Sequence, residues 1–341
     1  MNHDEAAMFT IIKIMSFEGG LVSDHIAQKT ITYPSADGVS TVVATLWLPP
    51  SDVSLKGIVQ ISHGMVEHIM RYEAFAYALC NAGYIVAGND HIGHGRSSAP
   101  EARGVLNPLK GSDILIKDTD TLRHHMTEQF GTSLPYVLFG HSMGSFIVRA
   151  YAGRYNEDLA GVIACGTGTV SPLLSDIGFA VAHHLCKTKS IEYRSAFVDN
   201  LGIGAYAKAV PGPTNYEWLS YNQENISSYM ADPACGYMFS VGGYAALAKL
   251  TKEACSKTSA SHIPSTLPFL FIAGAEDPVG ANGKGVRKAA QLTKDAGVTD
   301  VTTILYPHMR HEILNEDARE TVFNDVISWL GSHHGNNTST R

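Results

Sequence analysis

The chain has 341 residues, of which 45% are hydrophobic and 17% are charged, and its formal net charge at pH 7 is −7. These proportions are ordinary for a soluble globular protein, and the length suits one large α/β domain that carries an insertion. The 25 Lys and Arg residues are dispersed and are outnumbered by 32 Asp and Glu residues, so they form no basic face. We therefore expect no nucleic-acid partner.

Cysteine usage and the N-terminal residues bear on the compartment. Five cysteines, an odd number at wide spacing, argue against a disulfide framework and favour reduced thiols in a cytoplasmic protein. The apolar stretch from Phe9 to Met15 is interrupted by Lys13 and preceded by acidic residues, unlike a signal peptide. No stretch approaches the ~18 apolar residues of a membrane span. We expect a cytoplasmic protein and leave open a peripheral contact with a membrane surface.

The order of the predicted elements indicates the fold class. Residues 25–48 alternate apolar and polar side chains around a turn at 34–38, which predicts a β-hairpin. Short apolar runs then alternate with amphipathic segments, as in a mostly parallel sheet flanked by helices on both faces. The predicted strands are 57–62, 84–88, 136–139, 159–165, 268–272 and 301–306. The predicted helices are 70–81, 112–126, 143–154 and a last helix through Val322 to Leu330, followed by a polar tail at 331–341 that we expect to be mobile.

This alternation breaks at about Thr169 and resumes at Pro268. We therefore expect an α/β core at 1–168 and 267–341, with a mainly helical insertion at 169–266. The insertion carries two apolar stripes at helical spacing: Leu174, Ile177, Val181 and Leu185, and then Met238, Val241, Ala245 and Ala248. The stripes either pack the insertion onto the core or line an apolar substrate tunnel, and one helix can do both.

The strand-like run at 136–139 ends at the pentapeptide Gly-His-Ser-Met-Gly, residues 140–144. A G-x-S-x-G pattern between a strand and a helix is typical of a nucleophile elbow, because glycines two residues either side allow chain and helix to pass closely. This context predicts that Ser142 is a catalytic nucleophile.

A serine nucleophile needs a base that is oriented by an acid, and in this arrangement the chain order is Ser, acid, His. Asp277 follows the strand at 268–272, and His311 follows the strand at 301–306, so we predict Ser142, Asp277 and His311 as the triad. Glu276 is an alternative acid, and His308 competes with His311 as the base. His308 and His311 also form an H-x-x-H pair, but no further metal ligands accompany them. We therefore expect no metal and no cofactor.

The oxyanion hole needs a second N–H donor, usually from the loop after an earlier strand. Met65 lies in such a loop, so the N–H groups of Met65 and Met143 are the predicted donors. Glu67 and Arg71 follow four residues apart, a spacing that favours an ion pair bracing the loop. The alternative is that Glu67 and Arg71 form a polar wall for a substrate head group.

With these residues in place, the sequence resembles the monoacylglycerol lipase and lysophospholipase group of α/β-hydrolases over about residues 28–331. The segments that carry the resemblance are HGMVEHIMRY at 63–72, NDHIGHGRSS at 89–98, GHSMGS at 140–145, GAEDPVG at 274–280 and RHEILNE at 310–316. The stretch from Trp218 to Tyr237 resembles the cap of bacterial members. Such members commonly have Arg-Asp where Tyr221 and Asn222 stand, and Gly where His308 stands.

The resemblance implies an α/β-hydrolase fold with an inserted cap, and ester hydrolysis of single-chain acylglycerols or lysophospholipids without a cofactor. The expected partner is a small lipid ester, with transient membrane contact through the cap, and the oligomeric state stays open. A peptidase or a small-ester carboxylesterase on the same scaffold is the first alternative. A non-catalytic binding protein is a further one, because fold does not determine function.

Overall fold

The computed structural model of the chain describes residues 25–334. The expectations for Phe9–Met15 and for residues 335–341 of the polar tail lie outside the described residues.

Eight strands form one sheet in the order β1-β2-β4-β3-β5-β6-β7-β8. The strands are β1 (Ala27–Pro34), β2 (Thr41–Leu48), β3 (Gly57–Ser62), β4 (Tyr84–Asp90), β5 (Tyr136–His141), β6 (Leu159–Cys165), β7 (Phe269–Gly274) and β8 (Val301–Tyr306). The predicted hairpin is present as β1 and β2, which pair antiparallel, and β2 also pairs antiparallel with β4. The other neighbours are parallel. This architecture confirms the predicted α/β-hydrolase fold class.

The central strands are buried along their whole length, as expected for a parallel sheet covered on both faces. Their side chains alternate between two apolar cores, because successive residues of a strand point to opposite faces. Parallel strands end at the same edge, so the loops that follow β3, β5, β7 and β8 meet there. That edge is where the predicted site residues lie in the chain.

The described part of the chain contains these α-helices: α1 (Glu73–Asn81), α2 (Gly111–Phe130), α3 (Met143–Ala152), α4 (Pro172–Thr188), α5 (Ala196–Leu201), α6 (Ile203–Ala209), α7 (Gln223–Ala231), α8 (Val241–Ala254), α9 (Lys257–Ala260), α10 (Lys284–Asp295) and α11 (Arg319–His334). The first predicted helix is split, because a 3-10 turn at Ile69–Tyr72 precedes α1. The second continues to Phe130, where Gly131 adopts a positive φ of 87° and ends it. The expectation of a mobile tail from Gly331 was wrong for residues 331–334, which extend α11.

Helices α4 to α9 lie between β6 and β7, at the place of the predicted insertion. Five of them begin at a Ser or Asn whose side chain accepts an N–H of the first turn, which stabilises short helices. These cap residues are Ser171, Ser195, Asn222, Ser240 and Ser256. Helix α4 packs on α8, and α8 packs on α2 and α3 of the core. Among the described residues, no helix has the length and apolarity required to cross a bilayer.

Candidate active site

Ser142 occupies a strained turn between β5 and α3. Its φ of 52° and ψ of −117° lie in a region that side chains other than glycine rarely adopt. A β carbon at Gly140 would lie 2.2 Å from the carbonyl oxygen of Gly144, so only glycine fits there. The Ser142 N–H donates to the Cys165 carbonyl at 3.0 Å, which ties the turn to β6. The elbow predicted from the pattern is therefore present in the backbone.

Asp277 and His311 meet below the same edge of the sheet. The Nδ1 of His311 lies 3.0 Å from Oδ2 of Asp277, and both side chains are buried. The other oxygen of Asp277 accepts the Val279 N–H at 2.8 Å, which fixes the carboxylate plane. Ser142 and His311 line one cavity. The structure thus brings together the three residues of the predicted triad.

The alternative acid and base lie elsewhere. His308 is exposed and Glu276 is half-buried, and His308 Nδ1 lies 3.5 Å from Glu276 Oε1. Glu276 also accepts a hydrogen bond from the Tyr221 hydroxyl. Neither Glu276 nor His308 is among the described residues that line the cavity. Glu276 is adjacent to Asp277 in the sequence, and His308 is three residues from His311. Even so, neither side chain reaches the cavity, so neither contacts the predicted triad there.

The loop after β3 passes directly over the elbow. A β carbon at Gly64 would lie 3.1 Å from the Cβ of Ser142 and 2.5 Å from Oε1 of Glu67. Met65 lines the cavity. Met143 is the first residue of α3, and the N–H groups of a first helical turn have no acceptor within their helix. Both predicted oxyanion donors are therefore beside Ser142.

Glu67 is the centre of a buried hydrogen-bond network. Its Oε1 accepts the Gly64 N–H at 2.6 Å and the Tyr72 hydroxyl at 2.7 Å, and it lies 3.3 Å from His141 Nδ1. Burial opposes ionisation of Glu67, but the hydrogen bond from His141 and the charge of Arg71 outweigh it and hold the pKa of Glu67 well below its usual range. Burial alone would lower the pKa of His141, but Glu67 raises it.

Arg71 joins this network to the histidine loop and to the insertion. It donates to Glu67 Oε2 at 3.0 Å and to both oxygens of Glu312 at 2.5 and 2.7 Å. Asn225 of α7 accepts from Arg71 at 2.9 Å and donates to Glu312 at 2.7 Å. Burial opposes ionisation of Glu312, but Arg71 outweighs it and lowers the pKa of Glu312. We refer to Glu67, Arg71, His141 and Glu312 as the buried charge cluster.

The placement of Glu67 and Arg71 combines the two predictions made for them. They form the expected ion pair at i and i+4. Glu67 also lines the cavity, whereas the described lining residues do not include Arg71. Of the two residues predicted as a polar wall, Glu67 faces the cavity, and Arg71 donates to its Oε2.

The cavity above Ser142 has a volume of about 530 Å³, within the range of small-molecule sites. Its polar part contains Glu67, His141 and Glu312, and its larger part is apolar and comes mainly from the insertion. The apolar lining includes Phe146, Leu174, Ile177, Val181, Val198, Leu201, Ile203, Leu247 and Val279. The α4 stripe therefore faces the cavity at Leu174, Ile177 and Val181. The α8 stripe is divided, since Val241 and Ala245 are buried in the core while Ala248 lines the cavity.

Several residues of the site were not predicted. The His311 N–H donates to the Trp218 carbonyl at 3.4 Å, and the Glu312 N–H donates to the Leu219 carbonyl at 2.7 Å. The Trp218 ring lies against the His311 ring, with centroids 5.2 Å apart. Glu312 stands next to His311 in the sequence, but its partner Arg71 is 241 residues away. No local pattern reveals such a pairing.

Three buried histidines, His63, His91 and His94, pack together at the base of the loop of residues 63–68. This loop carries the predicted donor Met65, and we refer to it as the oxyanion loop. His63 Nε2 accepts the His91 N–H at 3.0 Å, and the Ser62 hydroxyl lies 3.1 Å from His91 Nε2. Burial lowers the pKa of His63 to about 3 and that of His94 to about 4, and it lowers the pKa of His91 as well. All three are therefore neutral near pH 7. The loop at 89–98 thus packs its histidines beneath the loop after β3.

Comparison with known proteins agrees with this geometry. Residues 54–318 match the family model Hydrolase_4, described as serine aminopeptidase, S33. The chain is 30% identical over 301 residues to a monoacylglycerol lipase of Mycolicibacterium smegmatis, covering 86% of this chain and 93% of the relative. It is 26% identical over 302 residues to the human monoglyceride lipase, covering 87% and 88%.

Among solved structures, a thermostable carboxyl esterase from Bacillus coagulans in complex with glycerol superposes with a TM-score of 0.83 at 29% identity. The match covers 90% of this chain and 99% of the esterase. The family match, the relatives and the fold together confirm the resemblance found in the sequence. The chain belongs to the Hydrolase_4 family of α/β-hydrolases, among the relatives of the monoacylglycerol lipases, and is a serine hydrolase of carboxylic esters.

Proposed function

We propose that the enzyme hydrolyses monoacylglycerols through an acyl-enzyme on Ser142. His311 takes the Ser142 proton during attack on the ester carbonyl, and Asp277 holds the imidazole tautomer and stabilises its charged form. The Met65 and Met143 N–H groups stabilise the tetrahedral oxyanion, each contributing roughly 10²–10³ in kcat. Glycerol leaves, and water activated by His311 releases the fatty acid. The reaction requires no cofactor.

The observation that carries this proposal is the division of the cavity into a polar and an apolar part. The apolar part accepts a single acyl chain, because aliphatic side chains of α4, α5, α6 and α8 make up most of its lining. Of the hydroxyls there, those of Ser175 and Thr251 bond to each other, and that of Tyr244 donates to Asp199.

Glu67, His141 and Glu312 line the same cavity as Ser142. Arg71 compensates the charge of both carboxylates, but Glu67 Oε2 and Glu312 Oε1 can each accept a further hydrogen bond from a neutral glycerol hydroxyl. The glycerol bound to the Bacillus coagulans esterase supports the same assignment.

A neutral head group fits better than a phosphate. None of the described residues that line the cavity is Lys or Arg. Arg71, the nearest such residue in the buried charge cluster, is engaged by two carboxylates. A lysophospholipid would therefore bury its phosphate beside Glu67 and Glu312 without a free cation. The peptidase alternative has a related difficulty, because both carboxylates are already paired and neither is free for a peptide amine.

We also propose that residues 169–266 form a cap on a core of residues 1–168 and 267–341. Large apolar side chains at the start of α4 and on α5 are exposed: Leu173 by 71%, Leu174 by 60%, Phe197 by 64% and Leu201 by 66%. Leu174 and Leu201 also line the cavity, so this apolar rim surrounds its mouth. An exposed apolar rim at a lipid site supports transient contact with a membrane surface.

Fatty-acid release from 1-monoolein, oleoyl lysophosphatidylcholine and a peptide amide tests the function, with wild type and Ser142→Ala measured side by side. We expect monoolein to be cleaved with the largest kcat/KM and Ser142→Ala to lose activity while its circular dichroism is unchanged. Cleavage of lysophosphatidylcholine at an equal or greater rate would overturn the head-group assignment. Undiminished activity of Ser142→Ala would overturn the mechanism.

A further inference from the structure

Three side chains of metal-ligating types converge away from the catalytic cavity. His68 follows the oxyanion loop, and Asp232 and Cys235 follow α7 of the insertion. One ligand atom from each lies within 4.8 Å of the others, and His68 Nε2 is 2.8 Å from Asp232 Oδ2. None of the three is among the described residues lining the cavity. The cluster therefore serves no step of the mechanism above.

The donor set has the chemistry of a zinc site. Imidazole nitrogen and thiolate sulfur select Zn²⁺ over Mg²⁺ and Ca²⁺, and a carboxylate completes the three protein ligands common in open zinc sites. Ligands at 2.0–2.3 Å on a tetrahedron are roughly 3.3–3.7 Å apart. The His68–Asp232 separation must widen and the thiol must approach, changes of about 1 Å that side-chain torsions provide. One neutral imidazole, one carboxylate and one thiolate balance the charge of the ion.

Two of the ligands are already held by one turn. The Cys235 N–H donates to the Asp232 carbonyl at 3.0 Å, and the Ala234 N–H donates to Asp232 Oδ1 at 2.7 Å. Oδ2 is thereby directed at His68. One oxygen of Asp232 is thus fixed by the turn, and the other faces the position of the ion.

The Cys235 thiol is buried. Zinc coordinates a cysteine as the thiolate. Binding forms a zinc–sulfur bond, breaks the S–H bond and releases one proton to solvent, with no change of oxidation state. The side chains of His68 and Asp232 are 17% and 34% exposed, which leaves a path for the ion and a position for a water ligand.

The turn that carries Asp232 and Cys235 rests on the oxyanion loop. The Gly236 N–H donates to the Val66 carbonyl at 3.0 Å, and the Tyr229 hydroxyl donates to the same oxygen at 3.2 Å. We propose that His68, Asp232 and Cys235 bind one zinc ion, which fastens the 232–236 turn of the insertion to the loop that carries Met65. Sequence spacing gave no sign of this site, because His68 and Asp232 are 164 residues apart.

Binding is tested on the full chain without a polyhistidine tag, after treatment with a chelator. Isothermal titration with Zn²⁺ at pH 7.5 should show one site per chain and proton release, and Co²⁺ should give a thiolate charge-transfer band in the near ultraviolet. Cys235→Ser and His68→Gln should each weaken Zn²⁺ binding by at least about 100-fold. Cys186→Ser, a half-buried thiol on α4, is the matched control and should bind like wild type. Binding that survives in both ligand variants, or an absent charge-transfer band, would overturn the site.

The fastening is tested separately by hydrogen exchange. Saturating Zn²⁺ should slow amide exchange in peptides covering residues 232–236 of wild type and should raise Tm by roughly 3 °C or more. Neither change should occur in Cys235→Ser or with Mg²⁺ on wild type. Stoichiometric binding without added protection at 232–236 would overturn the fastening. Because both readouts are independent of ester hydrolysis, they hold whichever substrate the enzyme cleaves.

Discussion

Gly144 lies so close to Ser62 that a β carbon at Gly144 would stand 1.9 Å from the Ser62 carbonyl oxygen. The first turn of α3 thus touches the end of β3, and this contact holds the elbow against the oxyanion loop.

Gly144→Ala should therefore destabilise the protein by at least about 3 kcal/mol, because the backbone of β3 cannot move aside. Gly331→Ala is the matched control, since nothing lies within 4 Å of a β carbon there and alanine favours the interior of α11. Urea unfolding of the two variants measures the difference. Equal midpoints would refute the close contact.

Asp277→Asn should lower kcat by about 10⁴ with little change in KM, because an amide no longer stabilises the correct imidazole tautomer. Glu276→Gln, one residue away and outside the described cavity lining, should leave kcat within about twofold. Steady-state hydrolysis of a soluble ester gives both values. A larger loss in Glu276→Gln than in Asp277→Asn would show that the acid has been misassigned.

Arg71→Ala should destabilise the protein by about 3–5 kcal/mol, since it leaves Glu67 and Glu312 buried without their cation. Arg319→Ala removes an exposed pair with Glu320 and should cost less than about 0.5 kcal/mol. Denaturant unfolding at pH 7 compares them. If removing Arg71 costs no more than removing Arg319, the buried charge cluster does not stabilise the fold.

Val181→Trp should block the cavity and lower kcat/KM for long acyl esters by at least about tenfold, while acetate esters react as before. Ala180→Trp adds the same bulk to the exposed side of α4 and serves as control. A series of 4-nitrophenyl esters of increasing chain length measures the effect. A uniform loss across the series would argue against an acyl tunnel under the cap.

The burial of His94 should make folding stability depend on pH. Its pKa is lowered by burial to about 4, so between pH ~6.5 and ~4 the unfolded chain binds more protons than the folded one. Stability is retained above pH ~6.5 and declines on acidification, by up to about 1.4 kcal/mol per pH unit for this one group. The free energy of unfolding, measured with urea at pH values from 7 to 4.5, should fall less steeply on acidification for His94→Phe than for wild type. An equal dependence of the unfolding free energy on pH in the two proteins would contradict the burial of a neutral imidazole at residue 94.

The parts of the site that follow strands were predictable, and the parts that depend on the insertion were not. Ser142, Asp277 and His311 each follow the end of a parallel strand, β5, β7 and β8, so strand order places them at one edge. Asn225 and Trp218 contact this edge from short helices and turns of the insertion, whose course depends on tertiary packing. The turn after β7 favours Asp277 over Glu276, and it is Asp277 that lies beside His311. The end of α11 was misjudged because Gly331 does not end the helix.

The N–H groups of His311 and Glu312 donate to the carbonyls of Trp218 and Leu219. These bonds attach residues 218–219 of the insertion to the loop that carries His311. A movement that lifted the segment at 218–219 would break both bonds and release the loop that carries His311. We therefore expect substrate to enter past α4 and α5, where the apolar rim is exposed. Entry by that route requires no movement of the chain that positions His311.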